Sequence, residues 1–213
     1  GELFTISFNV NILEEMYASW PEMSVGALGM EGYAEEGSNL PMYQPYGEMI
    51  ANGEATVEEC VAMLYAELDK WNATYNPATN FSYDVVSAGR HRGLTVWPWT
   101  YNDPEVFAEA YLNGVYGLTT NFSYWASDFI VDIDAADVTV AAGAELPTPV
   151  VTTQNGQQVS ADGLEVIVLE GALDSEGEAL AIYRLEQELV IEGTSYGSYY
   201  LYSNPFTVTV TAA

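Results

Sequence analysis

The stretch GLTVWPWTYNDPEVFAEAYLNGVYGLTT (residues 93–120) decides the fold class of the first part of this chain. Apolar and β-branched residues at 94–99 predict a buried strand. Asp103 is a good helix N-cap and Pro104 suits the first helical position, so a helix is expected to follow. A second strand is predicted at 115–119. A strand, a helix and a strand at this spacing are typical of parallel strands joined by right-handed crossovers, which indicates an α/β fold.

The same alternation of strands and helices continues upstream. Strands are predicted at 4–8 and 24–28, and helices at 12–20, at 57–71 with Thr56 as the N-cap, and after Ser82. Two connections lie between them, a long loop at 29–52 with a turn of helix near 46–50 and a polar connection at 72–79. Loops this long inside compact domains tend to be functional.

The pattern changes after Asp128, where helical periodicity gives way to short alternating segments. Turn dipeptides such as Asn155-Gly156 and Asp162-Gly163 separate the expected strands, which are 138–140, 150–153, 164–169, 180–185, 189–191, 199–202 and 206–211. Such spacing is typical of a small antiparallel β-sandwich of the immunoglobulin-like kind. We therefore predict an α/β domain over 1–130 followed by an all-β module over 131–213.

The charge balance excludes several classes of partner. Of 213 residues, 31 are Asp or Glu and 4 are Lys or Arg, which gives a net charge of −27. Four scattered cations cannot form a basic stripe, so nucleic acid is excluded as a partner, and an anionic membrane surface would repel the chain. No apolar run approaches the roughly 18 residues of a membrane helix, so no membrane span is expected.

Several motifs, taken in order, resemble the glycerophosphodiester phosphodiesterase family. Residues 93–102 (GLTVWPWTYN) are similar to the family's strand motif G-hydrophobic-x-V-x-x-W-T-V-N, and residues 113–122 (NGVYGLTTNF) to its later strand G-V-D-G-I-I-T-D. Ile6-Ser7-Phe8 resembles the family's I-S-F strand, and Asn76-Pro77 lies where the family has a similar segment. The resemblance covers roughly residues 3–125.

The resemblance implies a (β/α)8 TIM-type barrel, of which this chain has room for only the carboxyl-terminal half, because such a barrel needs about 250 residues. The family's catalytic His and most of its acidic metal ligands belong to its first strands. They are expected in a missing amino-terminal half of the barrel, which is either another chain or absent. A divalent metal, Ca²⁺ or Mg²⁺, is implied as the cofactor, and no catalytic residue or metal ligand is assigned within this chain.

The same resemblance places part of a substrate-pocket rim in this chain, since barrel active sites lie at the carboxyl ends of the strands. The residues matched to that rim are Trp99, Asn102, Ser7 and Phe8. Trp99 would offer a flat apolar face to a glycerol or alcohol group, with core packing as the alternative. Asn102 would orient neighbouring loops or cap the next helix. Three positions depart from the family pattern and weaken the expectation of full catalytic competence: Tyr116, Asn121 and Ser123.

Other candidate residues favour structural interpretations. The string Arg90-His91-Arg92-Gly93 contains a His-Arg-Gly, but it ends a predicted helix and so complements the helix dipole instead of matching the catalytic His. The carboxylates of Glu31, Glu35, Glu36 and Glu48 are interpreted as a solvated acidic face, with divalent cation binding as the alternative. Asp128, Asp132, Asp134 and Asp137 lack an EF-hand's glycine and terminal Glu, which leaves a Ca²⁺-stiffened linker as a minor alternative.

Acceptor triplets for N-glycosylation begin at Asn72, Asn80 and Asn121, and they fit an extracellular or cell-surface protein. Three functions stay open from the sequence. One is part of an extracellular phosphodiesterase that hydrolyses glycerophosphodiesters to glycerol phosphate and an alcohol with the help of a metal. Another is a non-catalytic surface or adhesive protein with a degenerate barrel as scaffold. The third is a polymerising subunit that self-associates through its strictly alternating last strand, 207–211.

Overall fold

A computed structural model describes residues 4–32, 44–79, 81–90 and 93–212. It contains both helices and sheets, and the chain divides into two compact units, residues 1–122 and 123–213. The domain limits expected from the sequence, 1–130 and 131–213, stay a prediction. No helix among the described residues has the length and apolar character needed to cross a membrane.

The first unit alternates short strands with helices. Its elements are β1 (Thr5–Ser7), α1 (Val10–Ser19), β2 (Val25–Gly29), α2 (Tyr46–Ala51), α3 (Val57–Leu68), β3 (Ala73–Pro77), α4 (Tyr83–Arg90) and α5 (Pro104–Leu112). Thr56 and Glu59 form a reciprocal capping box at the start of α3, and Asp103 accepts two backbone N–H groups at the start of α5. The helix starts predicted from these two caps are therefore confirmed.

Five parallel segments follow one another in chain order across this unit. Strand β2 pairs in parallel with β1 on one side and with β3 on the other. Segment 94–99 lies beside β3, with parallel bridges from Tyr75 to Val96 and from Ala78 to Trp99. Segment 115–119 lies beside 94–99, since its N–H groups at 116 and 119 donate to the carbonyls of residues 96 and 98 at 2.9 and 3.0 Å. The α/β class predicted from the sequence agrees with this arrangement.

One predicted connection is wrong. Residues 72–79, expected to be a polar link, contain strand β3, in which Tyr75 and Asn76 are both buried. The polar composition is misleading because the Asn76 side chain takes the place of a backbone hydrogen-bond donor. In this parallel pairing, the N–H of Trp97 donates to the carbonyl of Tyr75. The carbonyl of Trp97 therefore faces residue 77, which is a proline and has no N–H to donate. The Asn76 Nδ2 donates to that carbonyl instead, at 3.1 Å.

Helices cover one face of this parallel sheet and form the core with it. Side chains of alternate strand residues, Val25, Ala27, Tyr75 and Val96, point to that face and are almost wholly buried. They meet apolar side chains of the helices, namely Leu13, Val61, Leu64, Val85, Val86 and Phe107. The lone Cys60 belongs to this buried set, as its helical context predicts.

The second unit consists of strands after a short 3₁₀ turn at Ser123–Ala126. The strands are β4 (Ile130–Asp134), β5 (Val138–Ala141), β6 (Val150–Thr153), β7 (Gln158–Val159), β8 (Glu165–Glu170), β9 (Gly177–Ile191), β10 (Thr194–Tyr202) and β11 (Phe206–Thr211). One sheet has the order β4-β6-β7, and the other joins β8, β9, β10, β11 and β5. Side chains of both sheets share one core, which includes Ile133, Val151, Tyr183 and Phe206.

The last strand does not lie at a sheet edge. β11 pairs antiparallel with β9 on one side and parallel with β5 on the other, so its backbone groups are used within the chain. Strands β8 and β5 each pair with a single neighbour among the described strands. A second copy that paired with 207–211 would first have to displace one of these neighbours, and self-association through this strand stays a prediction.

Candidate functional site

The carboxyl ends of the parallel segments meet along one edge of the first unit, where a barrel-type site is expected. Phe8 and Trp99 come together at this edge, with their ring centroids 5.3 Å apart and their planes nearly perpendicular. The indole Nε1 of Trp99 donates to the carbonyl oxygen of Asn76 at 3.0 Å, which fixes the orientation of the ring. Because Phe8 stays partly exposed, the pair presents an apolar aromatic surface to solvent at this edge.

Ser7, the third residue assigned to the rim, lies on the other side of the sheet. Neighbouring strand residues point to opposite faces, so Ser7 faces the helices when Phe8 faces away from them. It is buried, and its Oγ accepts the N–H of Asn9 at 2.9 Å just before α1 begins. This geometry gives Ser7 a structural part at the start of a helix and keeps it away from the aromatic pair.

Asn102, the fourth rim residue, connects two loops. Its Oδ1 accepts the N–H of Asn121 at 3.0 Å, which ties the loop after 94–99 to the loop after 115–119. The following helix is capped by Asp103 instead, whose Oδ1 accepts the N–H groups of Glu105 and Val106. Of the two roles considered for Asn102, the geometry therefore shows the one that orients a loop.

Glu31 is the ionisable group most strongly held near this edge. It follows β2, and its carboxylate accepts hydrogen bonds from the Tyr75 hydroxyl and from the N–H of Ser82, the latter at 3.1 Å. The backbone N–H of Gly47 is a further donor to it. Burial raises the pKa of Glu31, and these three donors oppose that rise without cancelling it. The interpretation of Glu31 as part of a solvated acidic face is thus wrong.

The raised pKa of Glu31 predicts a specific pH dependence. A carboxyl whose pKa is higher in the folded protein than its ordinary 4.5 stabilises the fold most when protonated. That contribution is complete below about pH 4.5 and is lost as the pH rises through the folded pKa. Glu31→Gln removes the titration, so the wild type should gain stability relative to this variant as the pH falls from 7 towards 5.

Urea unfolding of the wild type and of Glu31→Gln at several pH values measures this difference. Glu54→Gln, the same change at an exposed glutamate, serves as the control for the substitution itself. A wild-type advantage over Glu31→Gln that shrinks as the pH falls would contradict the assignment.

The face of the sheet opposite the helices carries a group of aromatic side chains. Phe4 stacks on Trp97 with ring centroids 6.0 Å apart, although two other strands lie between their segments. Ile6 packs over Gly26 on this face, since a Cβ placed on Gly26 would lie 2.5 Å from the side chain of Ile6. Phe8, Trp99 and Tyr116 lie on the same face, where the Tyr116 ring is 6.1 Å from that of Trp97.

The described residues do not bring together a set of ligands for a divalent metal. The described part of the chain has no group of three or more His, Cys, Asp or Glu side chains that could hold an ion. The carboxylate of Glu31 already accepts hydrogen bonds from the Tyr75 hydroxyl and the Ser82 N–H. In the second unit, Asp137 accepts the N–H of Thr207 at 2.7 Å, and Asp128 accepts from Ser127 and Asn155. A divalent ion would therefore need ligands from beyond the described residues.

Several predicted features fall on residues outside the described ones: Asn80, Glu35, Glu36, His91 and Arg92. The other two glycosylation acceptors, Asn72 and Asn121, are exposed. The Asn72 Nδ2, the atom that would carry a glycan, donates to the carbonyl of Pro21 at 3.2 Å. Glycosylation there would have to break this hydrogen bond.

Comparison with known proteins finds a distant structural similarity. No protein-family model and no curated protein sequence matches the chain. Among solved structures, the chain is similar to a protein assigned as a glycerophosphoryl diester phosphodiesterase from Silicibacter pomeroyi DSS-3. The two are 19% identical with a TM-score of 0.37, and the match covers 55% of this chain and 34% of that one. This chain thus spans about a third of the length of that protein.

Proposed function

We propose that this chain supplies the carboxyl-terminal part of the barrel of a glycerophosphodiester phosphodiesterase-type hydrolase, followed by an immunoglobulin-like β-sandwich. The observation that carries the proposal is the series of five parallel segments in chain order, with helices on one face, whose carboxyl ends bear Phe8, Trp99 and Asn102. These are the positions at which the sequence motifs resemble that family. The acceptor triplets for N-glycosylation and the strongly negative net charge favour action outside the cell or at its surface.

The proposed reaction is hydrolysis of a phosphodiester by water. A water oxygen forms a bond to phosphorus, the bond from phosphorus to the alcohol oxygen breaks, and the alcohol leaves with a proton. Within this chain, Phe8 and Trp99 would hold the apolar side of the glycerol or alcohol group. Asn102 would keep the loop at 119–121 in place beside them.

Two of the chain's four Lys and Arg residues are paired with carboxylates. Lys70 is paired with Glu67 at 2.6 Å, and the Nε of Arg184 donates to Glu165 at 2.9 Å. Neither lies at the carboxyl ends of the parallel segments. In the proposal, Ca²⁺ or Mg²⁺ with ligands from the missing amino-terminal half supplies positive charge, and that half also supplies the general acid and base.

The test is an assay of glycerophosphocholine hydrolysis in the presence of Ca²⁺ or Mg²⁺. The chain alone should be inactive, and the full gene product, or this chain together with the segment encoded before residue 1, should release glycerol phosphate and choline. A full gene product that is folded but does not hydrolyse glycerophosphocholine would contradict the proposal.

Trp99→Ala should lower kcat/KM of the active assembly by about tenfold or more, because the apolar contact of an aromatic ring is worth roughly 1.5–3 kcal/mol. Trp20→Ala is the matched control, since Trp20 is largely exposed at the end of α1 and should leave kcat/KM unchanged. Circular dichroism verifies that both variants fold. An equal loss in the two variants would mean that Trp99 has no contact with the substrate.

A non-catalytic surface protein is the second candidate. Tyr116, Asn121 and Ser123 replace residues typical of the family, and the described residues offer no metal site. The same assay separates the two functions, because a scaffold would give no turnover in any assembly.

A further inference from the structure

The larger sheet of the second unit carries two tyrosines on its outer face. Tyr200 and Tyr202 in β10 are 49% and 54% exposed, whereas Leu201 between them packs against the core that both sheets share. Residues two apart in a strand point to the same side and lie about 7 Å from each other. The two rings therefore stand next to each other in water, and adjacent exposed aromatic rings are typical of a surface that binds a ligand or a partner.

A single arginine holds both rings in place. The Arg184 guanidinium lies 4.9 Å from the ring centroid of Tyr200, as a cation over an aromatic face. Arg184 is also the cross-strand partner of Tyr202, whose hydroxyl accepts a hydrogen bond from it. The Nε of Arg184 donates to Glu165 of β8 at 2.9 Å, which fixes the guanidinium in turn. Because the rings are already oriented, a ligand that stacks on them loses little affinity to the ordering of side chains.

Hydrogen-bonding groups lie beside the two rings on the same face. Glu186 is the cross-strand partner of Tyr200, and its carboxylate accepts a hydrogen bond from the hydroxyl of Ser198 at 2.6 Å. Both Glu186 and Ser198 are exposed, and a carboxylate with one such donor keeps lone pairs for further donors. We name this set of residues the tyrosine face: Tyr200, Tyr202, Arg184, Glu165, Glu186 and Ser198.

The charges of the tyrosine face favour a neutral ligand. Arg184 is the only Lys or Arg in residues 123–213, and it is paired with Glu165. An anionic ligand would therefore meet carboxylates without an available cation, on a chain whose net charge is −27. A cationic ligand at the rings would be repelled by Arg184, which already lies over Tyr200.

The mixture of aromatic and charged groups favours a carbohydrate over a protein partner. The centre of a protein interface is depleted in charged residues. Here each tyrosine has a charged cross-strand partner, Glu186 for Tyr200 and Arg184 for Tyr202, so the two rings do not form part of a continuous apolar core. A sugar ring combines the same two properties, because its C–H groups form an apolar surface that packs on an aromatic ring and its hydroxyls donate to carboxylates.

We propose that the tyrosine face binds a neutral polysaccharide, with sugar rings stacked on Tyr200 and Tyr202 and sugar hydroxyls that donate to Glu186. The binding concerns the second unit alone and does not rest on the function proposed for the first. A chain that takes no part in glycerophosphocholine hydrolysis would still bind the polysaccharide.

Affinity electrophoresis of residues 1–213 tests the proposal. The gels contain glucomannan, laminarin, dextran or hydroxyethylcellulose as soluble neutral polysaccharides, or hyaluronate as an anionic one. We expect at least one neutral polysaccharide to retard the chain and hyaluronate to leave it unretarded. Tyr200→Ala and Tyr202→Ala should each raise the dissociation constant by about tenfold or more, because each removes a stacking surface. Tyr200→Phe keeps the ring and should bind nearly as tightly as the wild type.

Tyr116→Ala is the matched control, because Tyr116 is 75% exposed but belongs to the first unit, and its loss should leave the affinity unchanged. Circular dichroism verifies that the variants fold. Retardation by none of the neutral polysaccharides would overturn the proposal, as would retardation that Tyr200→Ala and Tyr202→Ala leave intact. A dimer of residues 1–213 that these two substitutions dissociate in sedimentation would also overturn it, because a second copy would then cover the tyrosine face.

Discussion

Phe206→Ala should destabilise the second unit by about 3–5 kcal/mol, the usual cost of removing a buried phenylalanine ring. Phe206 begins β11, is 2% exposed, and stacks on Tyr183 with ring centroids 4.8 Å apart and planes at 18°. The ring lies in the core that both sheets share, so its loss leaves a cavity that the neighbouring side chains can fill only in part.

Urea unfolding followed by hydrogen exchange of the amides in β9 and β11 measures this cost. Phe4→Ala is the matched control, because Phe4 is half-exposed and should cost about 1 kcal/mol or less. A cost for Phe206→Ala no greater than that of the control would mean that the two sheets do not share one core.

Asn76→Ala should destabilise the first unit by about 1–3 kcal/mol, which is the cost of leaving a partly buried carbonyl without a donor. The carbonyl is that of Trp97, which faces Pro77 and receives the Asn76 Nδ2 in place of a backbone N–H. Thr74, whose hydroxyl donates to the Asn76 Oδ1, keeps the carbonyl of Val25 as an alternative acceptor. The substitution therefore leaves one group without a partner, the carbonyl of Trp97, and the expected loss of stability reflects that group alone.

Asn113→Ala is the control for this substitution. The Asn113 Nδ2 also donates to a backbone carbonyl, that of Glu109 at 2.8 Å, but in an exposed position where water can replace it. Its stability, measured by urea unfolding, should change by no more than about 0.5 kcal/mol. Equal effects of the two substitutions would show that Asn76 does not bridge β3 and segment 94–99.

Local signals in the sequence predict those elements that depend on local chemistry. The caps at Thr56 and Asp103 begin helices as expected, because a side-chain oxygen beside free N–H groups acts over three residues. The last strand, 206–211, agrees with its alternating pattern residue for residue. Both the helix caps and the alternation of the last strand depend on residues close together in the sequence, so they can be predicted without knowing distant contacts.

Elements that depend on contacts distant in the sequence cannot be predicted from local patterns. β3 looks polar because the buried amide of Asn76 replaces a backbone donor that Pro77 lacks. The polar middle of β9 suggests two strands, yet β9 runs unbroken over Gly177–Ile191. Gln187 in that middle accepts the N–H of Ile130 at 2.8 Å and also the hydroxyl of Tyr199. In both strands, a polar side chain is satisfied by a contact far away in the sequence.

The sequence locates the candidate site only in part. Phe8 and Trp99 do meet, whereas strand alternation sends the Ser7 side chain to the opposite face of the sheet. A pocket rim formed by these residues stays a prediction. That alternation is visible in the sequence itself. The burial of Glu31 is not, because its donors come from Tyr75, Gly47 and Ser82, which are brought together only by the fold.

The central claim, that the parallel sheet of the first unit is the carboxyl-terminal part of a barrel, is tested most directly by hydrogen exchange at its two edges. The amides of β1 and of 115–119 that point away from their paired neighbours should exchange quickly in residues 1–213 alone and become protected when the upstream segment is added. Amides of β2, already paired on both sides, should change little. Edges that stay unprotected in the presence of the upstream segment, or that are already protected without it, would contradict the account.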